Sequence, residues 1–162
     1  MPTITDPYPA LVSFQHALDA GEIHLASSKE TPGLYSYVDS PTGADTRLTF
    51  VHRDGSTVSA LVMLAHAEPY RGRPCYAVGY AVPLEFRGQG RAKKLLTAVL
   101  QELRVMLKGR GGPKSFFLEA VIAQSNVASQ KVAEHVLGAK AGDGHDSLSG
   151  EPIFQYLLEV NQ

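Results

Sequence analysis

Residues 75 to 123 confine this chain to a small set of folds. Cys75 to Val82 is an apolar run carrying Tyr76 and Tyr80, and it reads as a strand. It leads into Val82-Pro83-Leu84-Glu85-Phe86-Arg87-Gly88-Gln89-Gly90-Arg91-Ala92-Lys93-Lys94. Behind that stretch Ala92, Leu95, Leu96, Val99, Leu103, Met106 and Leu107 keep the i, i+3, i+4, i+7 spacing of one helix face, which predicts a helix over 91–107. Lys108 and Gly109 close it with a cation and a glycine, both favoured at a helix end. Ser115 to Ala123 is a second apolar strand. A strand, a helix and a strand in this order predict parallel pairing through a right-handed crossover.

The glycine stretch also constrains the chemistry. Gly88 and Gly90 have no side chain, so the backbone can turn sharply and approach a ligand closely. The first turn of the following helix offers N–H groups without helical partners, at the positive end of the helix dipole. Arg87, Arg91, Lys93 and Lys94 add positive charge at the same place. The ligand such a nest suits is a phosphate or pyrophosphate. Net charge over all 162 residues is only −1, so this is a local feature rather than a field for nucleic acid or an anionic membrane. A dinucleotide loop fits less well. Lys93 stands where its third glycine would be, and there is one strand–helix–strand unit. No P-loop string occurs.

The rest of the chain supplies layers around this unit. Leu11, Phe14, Ala17 and Leu18 predict a helix over 9–20 with Gly21 at its C-terminal end. Residues 31–45, rich in Pro, Gly, Ser, Thr and Asp, read as a loop, with Tyr35 and Tyr37 spaced as on a short strand. Arg47–Arg53 and Thr57–Ala67 read as a hairpin around Asp54-Gly55. Tyr70-Arg71-Gly72-Arg73-Pro74 turns into the Cys75–Val82 strand, making a three-stranded antiparallel meander. Arg110-Gly111-Gly112-Pro113 is a further turn. Residues 126–137 predict a shorter helix, with Ser125 or Asn126 as N-cap and Gly138 beyond its end. Gly142 to Asp146 reads as a flexible loop, with one short strand near Lys140, and Ile153–Val160 as the last strand. Length and the lack of linkers predict one domain over 1–162. The lone Cys75 permits no internal disulfide and reads as a buried strand residue. No zinc spacing is present. The opening Met1 to Pro7 resembles no signal peptide, and no apolar run reaches the roughly 20 residues of a membrane span. A cytoplasmic setting is the expectation.

Val82, Pro83, Arg87, Gly88, Gln89, Gly90, Arg91 and Ala92, placed after a strand, resemble the acetyl-CoA pyrophosphate loop of the GCN5-related N-acetyltransferase (GNAT) superfamily. Leu118-Glu119-Ala120-Val121, followed by Asn126-Val127-Ala128-Ser129 and Ala133-Glu134 before Gly138, resembles the RimJ/RimL branch. One extra residue stands before Gly138 relative to that branch. The resemblance implies a single-domain GNAT fold of class α/β, with a mixed, mostly antiparallel central sheet and helices on both faces. It implies acetyl-CoA as acyl donor, no metal, and transfer to a primary amine, either a protein N-terminus or a small molecule. Homodimers are common in the superfamily. A non-catalytic acetyl-CoA-binding module of the same fold is the alternative. Acceptor identity is expected in the loops at 31–45, 68–74 and 142–151.

Residue by residue, the resemblance assigns Arg87, Gly88, Gln89, Gly90, Arg91 and Ala92 to the pyrophosphate. It assigns backbone at Ala81 and Val82 to the pantetheine arm, with an N–H for the oxyanion. It also places Asn126 and Ser129 at the cofactor. Many members carry a general-acid tyrosine about seven residues after the asparagine; Ala133 stands there. Ser129 is then the expected acid, or else a cap of its own helix. Base candidates are Glu119, Glu85, Tyr76 and Tyr80. Glu119 is preferred as central and free of sequence-local charge partners; its structural alternative is a strand carboxylate paired with a basic side chain.

Overall fold

A computed structural model describes residues 6–109, 111 and 113–161. Among these residues the chain forms three α-helices and eight strands. They run α1 (Tyr8–Asp19), β1 (Ala26–Ser27), β2 (Tyr35–Asp39), β3 (Arg47–Asp54), β4 (Thr57–Tyr70), β5 (Arg73–Ala81), α2 (Arg91–Lys108), β6 (Ser115–Ala123), α3 (Val127–Val136), β7 (Gly142–His145) and β8 (Pro152–Asn161). The strands form one sheet in the order β1-β2-β3-β4-β5-β6-β8-β7. The β5–β6 pair is parallel, as the strand–helix–strand order predicts, and every other pair is antiparallel.

Helices cover both sheet faces. Leu95, Leu96, Val99, Leu100 and Leu103 of α2 and Ala133 of α3 are buried against Phe50, Val62, Val78, Tyr80, Leu118, Ala120 and Tyr156. On the opposite face α1 packs Leu11, with Phe14 and Leu18 beside it, on Val51, Val58 and Leu61. Period-2 alternation thus separates two apolar sets along the same strands. The ends are built as the sequence predicts. Gly21 (φ 72°) follows the C-cap of α1, where Gly21 N–H bonds Leu18 O and Glu22 N–H bonds Ala17 O, at 3.1 and 2.9 Å. Arg71 and Gly72, both with positive φ, form the two-residue turn between β4 and β5.

Two expectations need correction. The antiparallel meander has five strands, not three, because β1 and β2 precede it. Within the 31–45 stretch read as a loop, Tyr35 and Tyr37 lie on β2, as their spacing predicts, paired with Val51 and Thr49. Arg47 closes that ladder with a bidentate bond to Asp39, at 3.0 and 2.6 Å. Likewise Gly142–His145 is an edge strand, not a flexible loop. Its glycines disfavour a strand locally, but full register against β8 overrides them. Of the predicted 110–113 turn, Arg110 and Gly112 lie outside the described residues, as do Met1 to Thr5.

Leu96 is fully buried where α2 meets the sheet. Leu96→Ala is expected to cost about 2–5 kcal/mol of unfolding free energy. Urea denaturation checks this: the midpoint falls while the slope stays constant. An unchanged midpoint would mean that α2 does not close the core.

Candidate active site

The sheet opens at its centre. β5 and β6 pair at Cys75↔Phe117, Tyr76↔Leu118 and Ala77↔Glu119, and then part. Their outer ladders continue: β4–β5 runs to Leu61↔Ala81 and β6–β8 to Ala123↔Ile153. Val78–Ala81 and Ala120–Ala123 therefore diverge from each other while each stays fixed on its outer side. Backbone groups facing that gap need polar partners from elsewhere. Pro83, just after β5, removes one donor at the same end.

On the helix side the gap leads into a cleft of about 540 Å³. Its walls include Ala81, Val82, Arg87, Gly88, Gly90, Arg91, Ala92, Asn126 and Ser129, so nearly every residue expected at the cofactor meets there. Gln89 does not line it; its Oε1 accepts from Arg91 Nε at 2.9 Å. Gly88 and Gly90 have φ of 74° and 71°, and Gly90 is the N-cap of α2. That left-handed conformation is why glycine occupies both positions. Lys94 N–H bonds Gly90 O at 3.0 Å, so the N–H groups of Arg91, Ala92 and Lys93 form the open first turn.

The cations around this turn are held in place. Arg91 lies over the Phe86 ring at 4.5 Å and has Asp54 at 3.9 Å. Arg87 Nε donates to Val82 O at 2.9 Å, and its guanidinium lies over Tyr8 at 5.4 Å. Arg87 thus braces the strand end as well as the loop. Sequence reasoning missed Asp6, Pro7, Tyr8 and Lys131, which also line the cleft. Asp6 and Pro7 precede α1 and Tyr8 opens it, a stretch that carries no motif; Lys131 follows Ser129 by two on α3. His52 is half-buried near the same helix end, and burial, then Lys94 and Arg91, push its imidazole below the ordinary value.

α3 meets the cleft at its first turn. Asn126 Oδ1 caps Ser129 N–H at 3.2 Å, so the cap is Asn126 and Ser129 supplies the capped donor. Gln130 Nε2 bonds Ala123 O and Gln124 O, at 3.0 and 2.9 Å, tying the helix to the end of β6. From the other strand, Tyr80 Oη donates to Ser129 O at 2.5 Å. This bond bridges the opening between β5 and α3. Burial, then the neighbouring Tyr156 phenol, raise the Tyr80 hydroxyl above the ordinary tyrosine range. Ala133 is fully buried beneath the helix.

Glu119 points the other way. Its neighbours Leu118 and Ala120 are buried on the helix side, so alternation turns Glu119 to the α1 side of the sheet. There it lines a second cavity, of about 720 Å³, with Met63, Ala65, Cys75, Ala77, Gly79 and Gln155 in its walls. Gln155 Nε2 donates to Glu119 Oε2 at 2.5 Å, a neutral partner instead of a cation. Cys75 is buried as expected, and its thiol is pushed up to about 11 by burial, then by Glu119. Of the other base candidates, Glu85 is exposed on the 3₁₀ turn Leu84–Phe86 and lines neither cavity. Tyr76 packs edge-on against Phe116 at 5.4 Å and lines neither cavity. Pro41, Thr42, residues 45–47 and residues 67–70 border the second cavity, whereas 142–151 do not.

The family model described as "Acetyltransferase (GNAT) family" matches residues 16–139. The chain belongs to that family, a class of acetyl-CoA-dependent N-acetyltransferases. No curated protein matches it. Solved structures share its fold at low identity. Mutant forms of the spermidine/spermine N-acetyltransferase SpeG from Vibrio cholerae match at TM-score 0.54 and 16% identity, covering 70% of this chain and 66% of theirs. An N-acetyltransferase from Staphylococcus aureus Mu50 matches at TM-score 0.55 and 20% identity, over 71% and 68%. RimL, a ribosomal L7/L12 α-N-protein acetyltransferase in complex with coenzyme A, matches at TM-score 0.51 and 19% identity, over 68% and 60%. The central parting lies within the matched span, as do the glycine loop and α3.

If acetyl-CoA seats its diphosphate at the α2 N-terminus, the added negative charge opposes the two cations that depress His52. The NMR titration midpoint of His52 is therefore expected to rise when acetyl-CoA is added. An unchanged midpoint would separate His52 from the phosphate site.

Proposed function

We propose that the chain transfers the acetyl group of acetyl-CoA to a primary amine, of a protein N-terminus or a small molecule, by direct attack in a ternary complex. The parting of β5 from β6 carries this reading, because it lies between two cavities on opposite sheet faces. Acetyl-CoA enters from the helix side, with its pyrophosphate on Gly88, Gly90 and the first turn of α2. Arg87, Arg91, Lys93 and Lys131 supply the countercharge. The pantetheine amides pair with β5 backbone near Ala81 and Val82, replacing the strand that β6 no longer provides. An N–H of the same strand end polarises the thioester carbonyl.

The amine comes from the other face. Glu119, at the last β5–β6 rung, accepts the ammonium proton, directly or through one water. The neutral amine attacks the carbonyl carbon, the tetrahedral adduct collapses, and the C–S bond breaks. Ser129, in the first turn of α3, relays the proton that the adduct's nitrogen releases to the leaving thiolate, so its own hydroxyl is restored as the amide forms. Asn126 and Tyr80 hold that turn through its N–H and its carbonyl, so Tyr80 acts as a positioning residue. The Asn126–Ser129 spacing and the Glu119-Ala120 pair favour the RimJ/RimL-like branch.

Calorimetric titration with acetyl-CoA is expected to show micromolar binding, lost in an Arg87→Ala, Arg91→Ala double variant. Binding indifferent to both arginines would mean that the loop is only a turn. Binding without turnover over a broad amine panel would assign the chain to the non-catalytic alternative.

Glu119→Gln is expected to lower kcat by about 10²–10⁴, with acetyl-CoA affinity retained. Tyr80→Phe keeps the ring but loses the bridge to Ser129. It should lower kcat more than it raises the acetyl-CoA KM. A wild-type kcat in Glu119→Gln would remove Glu119 from catalysis.

A further inference from the structure

The start of α1 meets the central parting. Pro7 is the N-cap of α1, and α1 packs on the sheet face opposite α2 and α3. Its ring lies against β5 just beyond the last β5–β6 rung: a Cβ placed on Gly79 would stand 3.6 Å from Pro7 Cβ and 3.7 Å from Pro7 Cγ. Pro7 nevertheless lines the cleft on the helix side, beside Ala81 and Val82. The parting thus exposes to that cleft a residue that belongs to the other face. Gly79 lines the second cavity. The contact between Pro7 and Gly79 therefore stands on the boundary between the donor cleft and the cavity that holds Glu119.

Pro7 is fixed at this boundary. Its carbonyl accepts from Leu11 N–H at 2.9 Å, and Tyr8 N–H donates to Asp6 Oδ1 at 3.0 Å. Tyr8 packs on the cluster of Leu11, Val51, Val58 and Leu61, which Ala81 joins from β5, and the Arg87 guanidinium covers its ring. The pyrrolidine ring is tied to its own backbone, so it has no rotor by which to swing aside. Gly79 leaves the strand bare at the same point, and Pro7 bounds the space beside it. We propose that Pro7 and Gly79 set the length of acyl chain the site takes: the two-carbon acetyl group fits beside Gly79, and a longer chain runs into the Pro7 ring. The proposal rests on the seating of the donor along β5 given above, which brings its thioester to the parting, and on the packing of Pro7 against Gly79 for the limit. A four-carbon chain has to displace Pro7 and with it the start of α1, and overfilling a packed site is unfavourable.

Calorimetry on the intact chain compares coenzyme A, acetyl-CoA and butyryl-CoA. Acetyl-CoA is expected to bind at least roughly tenfold more tightly than butyryl-CoA, the scale of a methylene misfit in a closed pocket. Pro7→Gly removes the ring but keeps the carbonyl that opens α1, and glycine is tolerated at an N-cap. In that variant butyryl-CoA should gain until the preference is lost, with coenzyme A bound as in the wild type. Gly79→Ala narrows the same space from the strand side. Its methyl group would stand at ordinary contact distance from Pro7, on a backbone that is not left-handed, so the sheet accommodates it. This variant should weaken acetyl-CoA and leave coenzyme A unchanged. Equal binding of the two thioesters by the wild type, or a preference that survives in Pro7→Gly, overturns the proposal and leaves the donor seat standing. Should Pro7→Gly fail to fold, an unaltered acetyl-CoA affinity in Gly79→Ala overturns it instead. A preference that depends on Pro7, with no acetylation of any amine, leaves the acyl limit standing and sinks the transferase reading. Binding of none of the three sinks both.

Discussion

The structure depends on two neighbouring strands that cannot remain neighbours. β5 is held by β4 through Ala81 and β6 by β8 through Ala123, yet the two share only three rungs. Since each strand is anchored on its outer side, the gap between them is a fixed wedge rather than a frayed edge. Unpaired backbone inside a sheet is costly unless something polar occupies it. A pantetheine arm, with its own amides, is such an occupant. A site for an extended amide-bearing ligand therefore follows from sheet geometry before any side chain is considered.

Electrostatics divides the two sides of that wedge. The chain is almost neutral overall, but cations gather at the N-terminus of α2 and carboxylates gather across the sheet. Neither group would matter much if the two were mixed on one open surface, where solvent screens them. In the proposed transfer, this separation by the sheet lets an anionic donor and an amine acceptor approach from opposite faces without competing. Arg91 illustrates the local balance. Asp54, Gln89 and the Phe86 ring hold its guanidinium beside the loop, so little side-chain entropy remains to be lost on meeting a phosphate.

The parts of this arrangement written in local sequence were readable. Glycine spacing, the apolar stripe of α2 and the Asn126 cap all act within a few residues, and the corresponding elements appear at the predicted boundaries to within a residue or so. What was not readable depends on distant pairing. β2 hides among turn-forming residues and forms because β3 offers five rungs to it. β7, with two glycines in four residues, forms because β8 does. The site shows the same division. The nest was legible, but Tyr8 under Arg87 and the amide of Gln155 on Glu119 join residues 79 and 36 positions apart. No periodicity encodes contacts of that kind.

The exchange at α3 shows how distant contacts can carry a role that a motif leaves vacant. A family tyrosine is expected on this helix, and Ala133 stands in its place, fully buried. A small residue there lets the helix sit close to the sheet, over Tyr156 and beside Tyr80. The nearest phenol to the first turn of α3 now comes from β5, with its proton on the Ser129 carbonyl. Because that hydroxyl is buried and already donating, it suits holding a neighbour better than giving up its proton to a thiolate. In the proposed transfer the proton for the leaving group passes instead through Ser129, which lines the cleft, is half-buried and is fixed through both its N–H and its carbonyl.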